Sequence, residues 1–145
     1  MFDPQGQLDG LPKATCPVCD QTADKFLPFG AKQTPERRCP SCGSLERHRA
    51  VWLYFERFTD LFTRKVKMLH AAPEPCLMQR LRSQPNIDYL SIDLKMPSAM
   101  AHMDLTDLDL SNDAFDVVYA SHVLEHIPDD RKAMREFVRV LKPGG

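Results

Sequence analysis

The chain has 145 residues, 27% of them charged and 43% hydrophobic, with a formal net charge of −1. That composition allows one mid-sized domain or two small ones and excludes a disordered chain. Glycine occurs six times, at positions 6, 10, 30, 43, 144 and 145, so a glycine-rich phosphate loop between Ser44 and Pro143 is excluded.

The N-terminal Met1-Phe2-Asp3-Pro4 has neither a basic nor an apolar leader region, and the longest apolar run, Ala50–Phe55, is far too short to span a membrane. The expectation is a cytoplasmic protein, in which paired cysteines bind metal more often than they form disulfides. Two such pairs follow: Cys16-Pro17-Val18-Cys19 and Cys39-Pro40-Ser41-Cys42. Two CxxC knuckles at this separation can close a tetrahedron of thiolates around one structural zinc ion, with Gly43 supplying the left-handed residue that such a turn requires. Few apolar residues lie between the pairs, so metal would supply most of the folding energy of this zinc ribbon, residues 1–43. Arg37, Arg38, Arg47, His48 and Arg49 flank the second knuckle, but no aromatic residue interleaves them. They read as a solvated face rather than a nucleic-acid edge.

Ser44 is placed to cap a helix, with Glu46 in its first turn. Val51, Phe55, Phe58 and Phe62 then recur at helical spacing and predict the buried stripe of a linking helix, residues 44–63. From residue 64 the pattern alternates. Val66–Ala72 reads as a strand, Pro75–Arg82 as a helix, Ile87–Asp93 as a second strand and Ala101–Leu105 as a third. Phe115–Ser121 follows as a fourth strand, and Asp129–Leu141 as a helix with a stripe of Met134, Phe137, Val138 and Leu141. Such alternation implies a doubly wound parallel sheet. Its ligands bind beyond the carboxyl ends of the strands, where Glu74, Asp93, Asp104 and the pair Ser121-His122 fall.

Tyr89-Leu-Ser-Ile-Asp93, Met103-Asp104-Leu105 and Phe115-Asp-Val-Val-Tyr-Ala-Ser-His-Val-Leu-Glu-His-Ile-Pro-Asp129 resemble the class I S-adenosylmethionine-dependent methyltransferases. The closing Glu136-Phe-Val-Arg-Val-Leu-Lys-Pro-Gly-Gly145 is similar to the segment before that family's fifth strand. The cysteine pairs, Ser44-Leu-Glu-Arg-His48 and His70-Ala-Ala-Pro-Glu-Pro75 look like a subgroup with an N-terminal ribbon. The resemblance implies an α/β chain: a zinc ribbon, then an incomplete Rossmann-like sheet in residues 64–145, the N-terminal part of a methyltransferase domain. It implies S-adenosylmethionine as cofactor and methyl transfer to an acceptor that the sequence leaves unidentified. Asp93 would hold the ribose hydroxyls, Asp104 with the Leu105 backbone would meet the adenine, and Ser121 and His122 would line the pocket near the sulfonium. His122 is the candidate base. Where the family has a Gly-x-Gly loop, this chain has Ala72-Pro73-Glu74-Pro75, which is accommodated if the dihedrals of Ala72 stay negative. Three further strands are expected beyond Gly145. Without them the fourth strand is an exposed apolar edge, so the chain is a fragment or a second molecule covers that edge.

The alternative is a non-catalytic module, in which the ribbon binds RNA or protein and a degenerate methyltransferase fold serves as its platform. His122-Val-Leu-Glu125-His126 also matches a metalloprotease pattern, but Pro128 leaves no helix long enough to place both histidines on one metal. His70 reads as a satisfied interior histidine, Cys76 as a packed thiol, and Glu125 with His126 as a hydrogen-bonded rim.

Overall fold

A computed structural model describes residues 13–145. The chain divides into two compact units between Trp52 and Leu53.

The first unit holds two antiparallel hairpins, β1 (Ala14–Thr15) with β2 (Thr22–Ala23) and β3 (Leu27–Phe29) with β4 (Thr34–Arg38). Each cysteine pair forms a tight turn, the first between β1 and β2 and the second after β4. In the first turn the Asp20 N–H donates to the Cys16 carbonyl and the Cys16 N–H to that of Gln21. In the second, Gly43 donates to Cys39 and Cys39 to Ser44. Gly43 has φ +73, the left-handed residue the knuckle was expected to need, and Asp20 fills the same place in the first turn with φ +60.

Helix α1 (Glu46–Phe58) runs through the division between the units. Its start differs from expectation. Leu45 supplies the first helical acceptor, to the Arg49 N–H, and the Leu45 N–H donates to His48 Nδ1 at 3.2 Å, the one half of a capping box that a residue in the first helical turn can supply. The Ser44 hydroxyl instead lies 3.2 Å from the sulfurs of both Cys16 and Cys42. The buried stripe is also rotated from the predicted one. Leu45, His48, Trp52 and Phe55 are buried, whereas Phe58 is exposed and stacks on exposed Tyr54 with ring centroids 5.7 Å apart.

The second unit is a four-stranded parallel sheet in the order β7-β6-β5-β8, formed by β5 (Val66–Ala71), β6 (Ile87–Asp93), β7 (Ala101–His102) and β8 (Val117–Ala120). Registered neighbours in a parallel sheet share a face. His70 therefore stands beside Ser91 and Tyr119 on one face, and Ala71 beside Ile92 and Ala120 on the other. Helix α2 (Pro75–Arg82) lies against the first face, where the Ser91 hydroxyl reaches the Met78 sulfur. Helix α3 (Asp130–Val140) covers the second, burying Ala133, Phe137 and Val140 in one core with Leu69, Ala71, Ile92, Leu105, Leu108 and Phe115. Both faces of the sheet are covered, which is why its central strands read as continuous apolar runs.

Two strand boundaries and one helix stripe differ from expectation. The third strand stops at His102, because the Asp104 carboxylate accepts the Thr106 N–H and hydroxyl, each at 2.8 Å, and turns the chain. The fourth shortens to Val117–Ala120, with Phe115 bridging to Leu141 instead. In α3, Met134 and Val138 are exposed, so the predicted stripe straddles the buried face instead of filling it. Among the described residues, β8 has no partner on its outer side. An apolar groove of about 340 Å³ runs beside it, between Val118, Ala120 and Leu124 of one wall and Met134, Val138 and Leu141 of the other.

Candidate functional site

The four cysteines converge. Their sulfurs all lie within 4.8 Å of one another, with Cys16 to Cys42 at 3.7 Å and Cys19 to Cys39 at 3.8 Å. A tetrahedral zinc site with Zn–S bonds of about 2.3 Å requires sulfurs about 3.8 Å apart, so the set fits a zinc ribbon closed on all four positions. Burial raises the Cys39 thiol, yet the backbone N–H groups of Cys42 and Ser41 outweigh it and bring the group down to about 7. The Ser44 hydroxyl, of a residue that sequence reading assigned to the helix cap, lies 3.2 Å from two of the sulfurs, and its single proton can serve one of them. The basic run beside the second knuckle is partly engaged within the unit. Arg37 pairs with Glu46, while Arg49 donates to the Arg37 and Ser44 carbonyls and stacks on Phe26.

In the second unit, the residues singled out from sequence fall at the carboxyl ends of the strands and form two neighbouring groups. The first surrounds a cavity of about 110 Å³ lined by Asp93, Leu94, Asp104, Leu105, Val123 and Ile127. Three of these residues were expected there. Leu94, Val123 and Ile127, which make its apolar walls, were not. Asp93 Oδ1 accepts the N–H groups of Lys95 and Met96, both at 2.7 Å, so the turn after β6 holds the carboxylate in place. Hydrogen bonds from Thr106 keep the exposed Asp104 carboxyl below the usual carboxylate range.

The second group lies where β5 ends. The Ala72 N–H donates to the Ile92 carbonyl at 2.8 Å, which sets the loop between β6 and β8. Ala72 has φ +50, against the expectation of negative dihedrals. The turn needs a left-handed residue where the chain offers no glycine, and an alanine in that region stores strain of about 1–2 kcal/mol. Glu74 is the N-cap of α2 but makes no side-chain cap bond. Its carboxylate turns to the sheet, with Oε2 3.0 Å from His70 Nε2 and Oε1 3.4 Å from the Tyr119 hydroxyl. Burial pushes the Glu74 carboxyl up, but hydrogen bonds from His70, its own backbone and Ser121 outweigh that and hold it below its ordinary value.

His70 is fully buried, and its Nδ1 lies 2.8 Å from the Tyr89 hydroxyl. It is the satisfied interior histidine that was expected, but satisfied by a site residue. Burial raises both tyrosines, Tyr119 to about 12. None of His70, Tyr89 and Tyr119 was read as belonging to the site, although in the parallel register His70 aligns with Tyr119.

His122 is not among the residues that line the cavity. It follows β8 with φ +51, its side chain is 64% exposed, and its Nδ1 lies 3.4 Å from Glu125 Oε1. Glu125 therefore pairs with His122 rather than with His126. A larger hollow of about 440 Å³ opens at the other end of the sheet, between Lys65, Lys67, Asn86, Asp88 and Asp116. It lies where strands begin, away from every residue singled out above.

Comparison with known proteins bears on the fold and the family. A demethylmenaquinone methyltransferase of Clavibacter sepedonicus is 48% identical over 44 residues, which make up 30% of this chain and 18% of that protein. The methyltransferase GfsG of Streptomyces halstedii is 38% identical over 66 residues, or 46% and 21% of the two chains. Among solved structures, the cyclase SpnF superposes with a TM-score of 0.58 at 22% identity, over 85% of this chain and 49% of its own. A candidate S-adenosyl-L-methionine-dependent methyltransferase of Methanococcus maripaludis gives 0.54 at 15% identity, over 64% and 49%. The chain thus spans about a fifth of the length of these sequence relatives and about half of each solved chain. The structural likenesses carry the Rossmann-like fold alone, as the cyclase illustrates. The model of the methyltransferase domain family matches residues 55–145, well over half of the 145, and the chain belongs to that family, the class I S-adenosylmethionine-dependent methyltransferases.

Proposed function

We propose that this chain binds S-adenosylmethionine across the carboxyl ends of β5, β6, β7 and β8 and serves methyl transfer, with a structural zinc ion in residues 1–43 and the methyltransferase portion in residues 64–145. The observation that carries the reading is the cavity into which two separate segments bring Asp93 and the pair Asp104-Leu105. When bound, the cofactor supplies an electrophilic methyl group. Asp93 accepts from the ribose hydroxyls, its Oδ1 already fixed by the following turn. Asp104 and the Leu105 backbone meet the adenine, between the apolar walls of Leu94, Val123 and Ile127. Ala72 and Glu74 face the amino-acid end, and Ser121 supports Glu74 from β8.

Transfer from a sulfonium depends chiefly on in-line positioning. Where an acceptor nucleophile must lose a proton, His122 takes it, oriented by Glu125. The acceptor itself is left open. Among the described residues no helix is long and apolar enough to cross a membrane, and four reduced cysteines held for metal suit a cytoplasmic setting. The unpaired edge of β8 is where a second copy or another partner would pair.

Isothermal titration of the zinc-loaded chain with S-adenosylmethionine tests the reading. One site per chain is expected. Asp93→Asn, which keeps an acceptor for the turn but loses the charge, should weaken binding by roughly tenfold or more. Absence of heat with the wild-type chain would overturn it.

A further inference from the structure

The Glu74 carboxylate is 14% exposed, and among the described residues its ion-pair partner is His70 alone. The hydrogen-bond pattern shows what that partner is. As an acceptor-only carboxylate, Glu74 requires the proton of His70 to sit on Nε2. Nδ1 lies 2.8 Å from the Tyr89 hydroxyl, while the Tyr119 hydroxyl donates to Glu74 Oε1. Tyr89, His70, Glu74 and Tyr119 thus form one continuous hydrogen-bonded chain that engages both oxygens of the carboxylate. A largely buried carboxylate held from two sides offers a negative charge in a fixed place, and its field acts more strongly there than in open water. The residue stands where α2 begins but does not cap it, so its orientation is dictated by the buried network, not by the helix.

We infer that Glu74 is the anionic seat for the primary ammonium of an amino-acid-bearing ligand at this site, and that His70 and Tyr89 are positioning residues which hold it there. The inference rests on the cofactor reading given above. It also explains the departure from Gly-x-Gly, because a side chain replaces contact that bare backbone would make.

Three ligands separate the terms: S-adenosylmethionine, S-adenosylhomocysteine, which keeps the ammonium but lacks the sulfonium, and 5′-methylthioadenosine, which lacks both. Calorimetric titration of the wild-type chain should find 5′-methylthioadenosine clearly weaker than S-adenosylhomocysteine. Glu74→Gln should weaken S-adenosylmethionine and S-adenosylhomocysteine alike, by roughly 10- to 100-fold, and leave 5′-methylthioadenosine within about twofold. Tyr89→Phe should lower the same selectivity by roughly threefold to tenfold, an effect that a merely structural role would spread over all three ligands. Equal losses for all three, no loss for any, or a loss confined to S-adenosylmethionine would each overturn the assignment. So would wild-type binding of 5′-methylthioadenosine as tight as that of S-adenosylhomocysteine, which leaves the cofactor reading standing. If none of the three binds, the cofactor reading fails and this one with it.

Discussion

Asp20 and Gly43 occupy the same position in two equivalent turns, four residues after Cys16 and Cys39, and both hold positive φ, +60 and +73. Each donates its N–H to the carbonyl of the cysteine that opens its turn. The second knuckle uses the residue that adopts this conformation freely, and the first uses one that tolerates it. A Cβ built on Gly43 would meet nothing within 4 Å, so replacement there costs conformation alone. Gly43→Ala is expected to lower the stability of the zinc-loaded chain by about 1 kcal/mol, and Asp20→Gly to raise it by a few tenths. Thermal melts of the two variants against the wild type measure both signs.

Ser44 is fully buried with its hydroxyl 3.2 Å from two of the four sulfurs. A donor in that place stabilises thiolates and orients them without ligating the metal. Native mass spectrometry should find one zinc ion per chain. Ser44→Ala should keep that stoichiometry while weakening zinc affinity about tenfold in a chelator competition, whereas Cys42→Ser should lose the ion.

How much of this was legible beforehand follows from which signals are local. Ile87–Asp93 matches its strand residue for residue, because a strand covered on both faces announces itself as an apolar run ending in a polar residue. The metal set was legible for the same reason, as spacing within a few residues fixes each knuckle. What stayed hidden is what depends on rotation or on partners far along the chain. The stripe of α1 turned because His48 and Trp52, neither of them in the predicted set, occupy the buried face. The network around Glu74 joins residues from β5, β6 and β8, and only the parallel register aligns His70 with Tyr119. Ser44 misled because one hydroxyl can serve a helix or a metal cluster, and sequence does not say which is nearer.

Ala72 is the strained residue of the first strand-to-helix loop. Glycine at that position removes the cost of φ +50 but adds freedom to the unfolded chain, so the two effects partly cancel. Ala72→Gly should raise stability by roughly 0.5–1 kcal/mol in urea titration. Ala72→Val, β-branched in the same region, should lower it by more than that.

Glu136 and Arg139 clamp the chain between β7 and β8 onto α3. The Glu136 carboxylate accepts the Leu108 N–H and pairs with Arg139, which in turn donates to the carbonyls of Leu108 and Leu110 and to Asn112. The Arg139 guanidinium draws the Glu136 carboxyl down to about 2. A depressed carboxyl stabilises the fold above its unfolded value, near 4.5, and that contribution is lost as pH falls toward 2. Glu136→Gln should therefore melt a few degrees below wild type at pH 7, with the gap closing between about pH 4.5 and 2. A gap that is constant across that range would show that lost packing, not charge, causes it.

The outer side of β8 presents unpaired backbone beside apolar side chains. Val138, 67% exposed, and Met134 rise along the same groove. An edge of this kind recruits a further strand or a second copy unless charge blocks it. Val138→Glu puts a charge on that face without touching the buried residues Ala133, Phe137 and Val140, so the fold should melt within about 1 °C of wild type. Sedimentation equilibrium over a concentration series should then show association of the 145-residue chain shifted to at least roughly tenfold higher concentration. Equal association by the variant and the wild type would assign the contact to another surface, and a purely monomeric wild type would remove it.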